Sequence, residues 1–353
     1  MLTSNRHRGG KAIGSLVNDF CWGAWAELGV SGWGRTHQDW AIDPEPLIIF
    51  TTVIGQEEPR LRDEAMDWCI RNRRYVSQIR LRNILRLQSE RVTEAWGVFA
   101  ATVNARAGAR WPGATVERSS YKVTGRSRLR PLSEPSLVIL RMRAMFGVGA
   151  RTEILRFFLL NPRSKVTAAV LAESTNFMKR NVAEECDLLV QADVLAVKTV
   201  GNRFYYSLTN SRGLANFVGA IPSIAPDWLA LLRVVGIIKS IAETAEEFSH
   251  DALVVETHQA ARSIEDDLSA LGIDGPNRLR GPAFLNAWDQ WAAEVMADLA
   301  AGTWPAEEDE ARLVPVNRPS AAPDAVVAAL RAARSGVRRG RHSVRRMVEE
   351  GRR

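Results

Sequence analysis

Residues 150–208, ARTEILRFFLLNPRSKVTAAVLAESTNFMKRNVAEECDLLVQADVLAVKTVGNRFYYSL, carry the pattern that decides the fold. An apolar helix holding Ile154, Leu155, Phe158 and Leu159 stops at Asn161-Pro162. A short helix follows over 168–173, with Leu171 and Ala172 as its apolar positions. Ser174-Thr175-Asn176 read as a polar turn, after which a longer helix runs over 178–191. There Val182, Cys186 and Leu189 recur at i, i+4 and i+7, one face of a helix, leaving Lys179, Arg180 and Glu184 to face outward. Two β-rich runs, 195–200 and 204–208, are joined by Gly201-Asn202-Arg203. The spacing predicts three helices closed by a hairpin.

This layout resembles the winged helix-turn-helix domain of bacterial transcriptional regulators of the MarR and ArsR kind. The resemblance rests on Leu171-Ala172, on Val182, Cys186 and Leu189, and on Asp193-Val194-Leu195 leading into the hairpin. Asp193 stands where those proteins carry glycine; aspartate tolerates the left-handed conformation better than most residues. The resemblance implies a mainly α, multi-domain protein whose central winged helix is flanked by helical domains. It also implies a sequence-specific, double-stranded DNA-binding transcriptional regulator with its third helix in the major groove. Asn176, Lys179, Arg180 and Asn181 then lie at the groove. Arg180 would suit guanine and Asn181 adenine, each worth roughly 1–3 kcal/mol of discrimination, and which of these residues reads a base and which holds a phosphate stays open. Lys198, Asn202 and Arg203 would meet the backbone or minor groove, and amides and hydroxyls of Ser174 and Thr175 would add phosphate contacts. The same resemblance implies that helices outside the winged helix either make the chain a homodimer or bind a protein or small-molecule effector; no cofactor is expected.

At 353 residues the chain is long enough for two or three domains. Three scattered cysteines, Cys21, Cys69 and Cys186, argue against a disulfide framework and suit a reducing cytoplasm. The longest apolar runs, 46–54 and 228–238, are too short to span a membrane, and no secretory signal is read at the N-terminus.

Charge is unevenly spread behind a net +7. Residues 71–143 hold 16 Lys/Arg against 4 Asp/Glu, whereas 212–324 hold 8 against 18, and the tail 325–353 holds nine Arg against two Glu. Basic blocks of that size attract polyanions, nucleic acid first among them. The expected organisation follows from these shifts. Residues 1–11 read as disordered. Residues 12–103 form a helical domain, either a second, degenerate helix-turn-helix or a support with a solvated face at Arg80, Arg82 and Arg86. Its Trp22, Trp25, Trp33 and Trp40 point to a core more than to base stacking. Residues 104–135, rich in Arg, Gly, Ser and Pro, read as a basic linker, plain or phosphate-contacting. The winged helix takes 136–211 and an acidic helical dimerisation or effector domain takes 212–301. A Pro-rich acidic linker (302–324) and the Arg-rich tail close the chain; the tail either binds phosphate or folds back on the acidic domain.

Nothing points to catalysis. His7, His37, His250, His258 and His342 are scattered, with none at metal-ligand spacing. No phosphate loop or nucleophile elbow occurs, and Asp266-Asp267 are neighbours that a helix would splay apart. The alternative to DNA binding is a protein-interaction subunit, adaptor- or antitoxin-like, because residues 144–211 by themselves hold 8 basic against 6 acidic side chains. RNA, met by the arginine-rich segments, is a third expectation.

Overall fold

Two prolines ahead of an apolar run make the centre of the molecule. Pro44 and Pro46 fall in a first helical turn, where a missing N–H costs nothing. Behind them Leu47, Ile48, Ile49, Thr51, Thr52 and Ile54 are all buried, as suits a helix enclosed on every side. This helix, α2 (Pro44–Ile54), packs against α1 (Leu2–Leu28), α3 (Pro59–Asn72), α4 (Gln78–Leu85), α5 (Glu90–Ala107) and α11 (Trp228–Thr244). The computed structural model describes residues 2–305 other than 122 and 246, with side chains from residue 12 onward. The fold is mainly α: fourteen helices and one two-stranded sheet among the described residues. None of the helices is long and apolar enough to cross a membrane.

The two ends of the described chain share one core. The stripe Val17, Phe20, Cys21, Ala24, Trp25 and Leu28 of α1 is buried, with α1 packed on α11 and on α14 (Pro282–Ala301). Trp40 donates its indole N–H to the carbonyl of Gly302 (3.1 Å), and Trp228 donates to that of Ala41 (2.6 Å). Buried aromatics from 12–40 and from 228–304 therefore interleave, Phe20 stacking on Trp228 at 6.0 Å. Buried residues on either side of positions 103 and 212 belong to one hydrophobic cluster. Of the four early tryptophans, Trp22, Trp25 and Trp40 belong to this core, while Trp33 is exposed and stacks on Trp22. Residues 2–11, expected to be disordered, form the first turns of α1. Within the acidic helical stretch, residues 243–271 form the end of α11, α12 (His250–Ser263) and α13 (Glu265–Leu271).

Residues 108–134 connect α5 to α6 (Val138–Phe146), yet they are pinned rather than loose. Trp111 stacks on Trp96 at 5.5 Å. Buried carboxylates of α3 do the rest: Asp67 accepts from the Tyr121 hydroxyl (2.7 Å) and the Thr124 and Gly125 amides (2.9 and 2.7 Å), and Glu64 accepts from the Ser127 hydroxyl (2.7 Å). The expectation of a basic linker over 104–135 rested on its Arg, Gly, Ser and Pro content alone. Here hydrogen bonds to ionised acceptors supply the anchoring, and these are the stronger kind.

The quoted stretch folds as α7 (Ala150–Leu160), α8 (Ala168–Thr175), α9 (Lys179–Gln191), β1 (Leu195–Val200) and β2 (Arg203–Leu208), and α10 (Ser211–Val218) follows it. Ile154, Leu155 and Phe158 of α7, Leu171 of α8, and Val182, Cys186 and Leu189 of α9 are all fully buried. The strands pair antiparallel with Leu195 opposite Leu208 and Val200 opposite Arg203, so the loop is two residues, Gly201-Asn202. Gly201 takes φ 57° at the first of these, where two-residue hairpins favour glycine. Val166, just ahead of α8, bridges Tyr206 and so sews the hairpin to the helices. Asp193 does adopt the left-handed conformation, at φ 60°.

Candidate nucleic-acid interface

The nine residues expected at the interface fall into three groups. Lys179, Arg180 and Asn181 form the exposed first turn of α9. Lys198, Asn202 and Arg203 are exposed on the hairpin, and the register puts Lys198 and Arg203 on the face turned away from Leu195 and Tyr206. Ser174, Thr175 and Asn176 do not form a free polar turn. The first two extend α8, whose last turn is closed when the Thr175 hydroxyl donates to the Leu171 carbonyl at 2.6 Å. Thr175 is wholly buried, so its hydroxyl has no access to a phosphate, a correction to the expected contact. Asn176 ends the helix in the left-handed conformation at φ 58°. Among the described residues no hydrogen bond or ion pair joins the α9 group to the hairpin group.

The first turn of α9 has Met178 at its N-cap with no side-chain cap bond, so its leading amides are turned to solvent. The rest of the helix is acidic. Arg180 Nε lies 2.9 Å from Glu184 Oε1, with the two side chains 87% and 62% exposed. Exposed pairs at this spacing contribute about 0.3–0.5 kcal/mol, so Arg180 can leave Glu184 for a better acceptor. Glu185 is held by Arg151 at 2.8 Å.

Beside the junction of α8 and α9 lies a buried ionic hub, with one bond to the end of α8. Arg80 of α4, expected on a solvated face, is 1% exposed. Its Nη1 donates to Asp43 Oδ1 (2.7 Å) and to Glu45 Oε2, and its Nε donates to the Thr175 carbonyl (3.1 Å) at the end of α8. Arg143 of α6 donates to Glu45 Oε1 (2.7 Å) and Glu153 Oε1 (2.8 Å), and Arg156 closes the set on Glu153 Oε2 (2.7 Å). Three guanidinium groups thus face three carboxylates. Burial pushes the Glu153 carboxyl up, but Arg143, Arg156 and Arg80 outweigh it and hold the group down at about 2. Asp43 is likewise held well below the usual carboxylate range, Arg80 overcoming burial. Asp43 occupies the N-cap position of α2 but makes no capping bond, its carboxylate being engaged by Arg80.

A signal for Arg80 was present in the sequence. Ser77, Arg80, Leu81, Ile84 and Leu85 share the buried face of α4, and an arginine on an apolar stripe requires carboxylate partners. Asn83 of α4 likewise reaches this junction, donating from Nδ2 to the Asn176 carbonyl at 2.8 Å. No family model matches the sequence, and neither a curated protein nor a solved structure matches it.

Proposed function

We propose that the chain is a sequence-specific, double-stranded DNA-binding transcriptional regulator, in which α7–α9 and the hairpin act as a winged helix and α9 enters the major groove. One observation carries the reading: the turn bearing Lys179, Arg180 and Asn181 stands in solvent while the opposite face of α9 is buried through Val182, Cys186 and Leu189. A helix so mounted presents donors to base edges from a fixed base. Lys198 and Arg203 on the hairpin's outer face would take backbone phosphates. Selection of bound duplexes from a random-sequence library tests it. Enrichment of a defined motif is expected, and recovery of no preferred sequence would remove the regulator reading.

A second reading is favoured by other features of the same unit. Val197, Val200 and Phe204 on the hairpin are 44%, 54% and 57% exposed, and Glu184 and Asp187 make the middle of α9 acidic. Those surfaces suit a protein partner in an adaptor- or antitoxin-like complex. Capture of one stoichiometric protein, with no retardation of duplex DNA, would favour that reading over the first.

A further inference from the structure

The outer face of α4 is a cationic surface that the reading of α9 leaves unused. Residues 71–89 contain six arginines and no acidic side chain. Three of them are engaged: Arg71 donates to the carbonyls of Gly125 and Ser127, Arg74 lies over the Tyr75 ring, and Arg80 belongs to the hub. The other three, Arg73, Arg82 and Arg86, are exposed with no partner among the described residues, and Arg82 and Arg86 lie one turn apart on α4 and its C-cap. Between them, Asn83 grips the Asn176 carbonyl, and one turn earlier Arg80 grips that of Thr175. Both acceptors lie at the junction that leads into α9, so α4 is fixed beside the entry to that helix.

We infer that Arg82 and Arg86 form a second, sequence-independent contact to the phosphodiester backbone of duplex DNA, flanking the groove that α9 occupies. The inference rests on the proposed role of α9. A major groove about 12 Å wide admits one helix, and packed helices lie about 8–10 Å apart. An element fixed beside the entry to α9 therefore meets the phosphates lining the groove rather than its floor. Two guanidinium-bearing positions about 6 Å apart along a helix axis, uncompensated by carboxylates on the same helix, suit that polyanion.

The test uses the full chain and a labelled mixed-sequence duplex of about 30 base pairs, with affinity followed by fluorescence anisotropy between about 50 and 200 mM KCl. The double substitution Arg82→Ala, Arg86→Ala should weaken binding to all sequences alike. It should also reduce the slope of log affinity against log salt by about 1.8, at about 0.9 per phosphate contact. Both side chains are exposed, so folding is spared. Arg278→Ala with Arg280→Ala removes the same charge from the loop before α14 and should leave the slope unchanged. An equal loss in that control would overturn the inference, because net charge alone would then explain the effect. A wild-type slope for the Arg82/Arg86 pair, with binding still lost on Lys179→Ala and Arg180→Ala, would overturn it and leave the reading of α9 standing. No duplex binding by the unaltered protein, or structured RNA bound in preference, would remove both.

Discussion

Arg80 and Arg82 lie two residues apart on α4 and do opposite work. Arg80 points inward, its charge met by Asp43 and Glu45 and its Nε–H given to a backbone carbonyl; Arg82 points into solvent with no partner among the described residues. The same contrast separates the hub from the first turn of α9. Inside, a guanidinium is tolerated only when its donors are matched, since burial of an unpaired charge costs several kcal/mol. Outside, water screens the charge and leaves it free to meet a ligand. One set of arginines is matched inside the fold, and another is left at its surface.

Breaking the inner half should have the largest effect. Arg80→Met leaves Asp43 and Glu45 with one guanidinium fewer in a site closed to water. Loss of one partner from such a site costs about 3–5 kcal/mol, readable as a fall in the urea midpoint. Adding Asp43→Asn to that variant should cost much less than the two single changes summed. Full additivity would show that the pair is not coupled.

A second buried polar group sharpens the comparison through pH. His37 is fully buried where α1 meets α14, with Nε2 2.8 Å from the Leu299 carbonyl and Nδ1 2.8 Å from the Thr36 hydroxyl. The carbonyl can only accept, so Nε2 carries the proton and the neutral ring is satisfied. Burial lowers its pKa to about 4 from an ordinary 6.5, against two backbone hydrogen bonds that favour the cation. Because the folded value is the lower one, the unfolded chain takes up the proton first as pH falls. The neutral ring's contribution is complete above pH 6.5 and is lost down to about 4, amounting to about 3 kcal/mol. Stability of the wild type should decline over that window, and His37→Gln should flatten the decline even if it lowers stability overall. An unchanged pH profile in the variant would place the titration elsewhere.

These buried polar groups are also where the sequence was least informative. Local periodicity sufficed for the α7–α9 unit, because its contacts are short-range. Val182, Cys186 and Leu189 announce the buried side of α9, and Asp193 announces a left-handed turn. The union of α1 with α14 leaves no such trace, since it joins residues more than 260 apart, as in the bond from His37 to Leu299. Arg141 and Arg143 look like interruptions of the apolar run that became α6. They are instead buried donors, Arg141 to backbone carbonyls such as that of Val218 and Arg143 to Glu45 and Glu153. Polarity of side chains was a poor guide to exposure wherever ionised acceptors lay far away along the chain, as Asp67 does for 121–125.

The outer half should prove nearly silent in stability and decisive in binding. Arg180→Ala removes only an exposed pair with Glu184, so its effect on unfolding should stay below about 0.5 kcal/mol. On a selected DNA site the same change should cost roughly 1–3 kcal/mol and relax preference at one base position. Affinity for unrelated duplexes should fall much less. If Arg180→Ala weakens every sequence to the same degree, Arg180 is a phosphate contact of the kind proposed for Arg82 and Arg86. Base reading would then pass to Asn181, its neighbour on the exposed first turn of α9. Glu184→Gln, which frees Arg180 without touching its charge, separates these outcomes. A base-reading Arg180 gains affinity chiefly on the selected site, whereas a phosphate-bound one gains it everywhere.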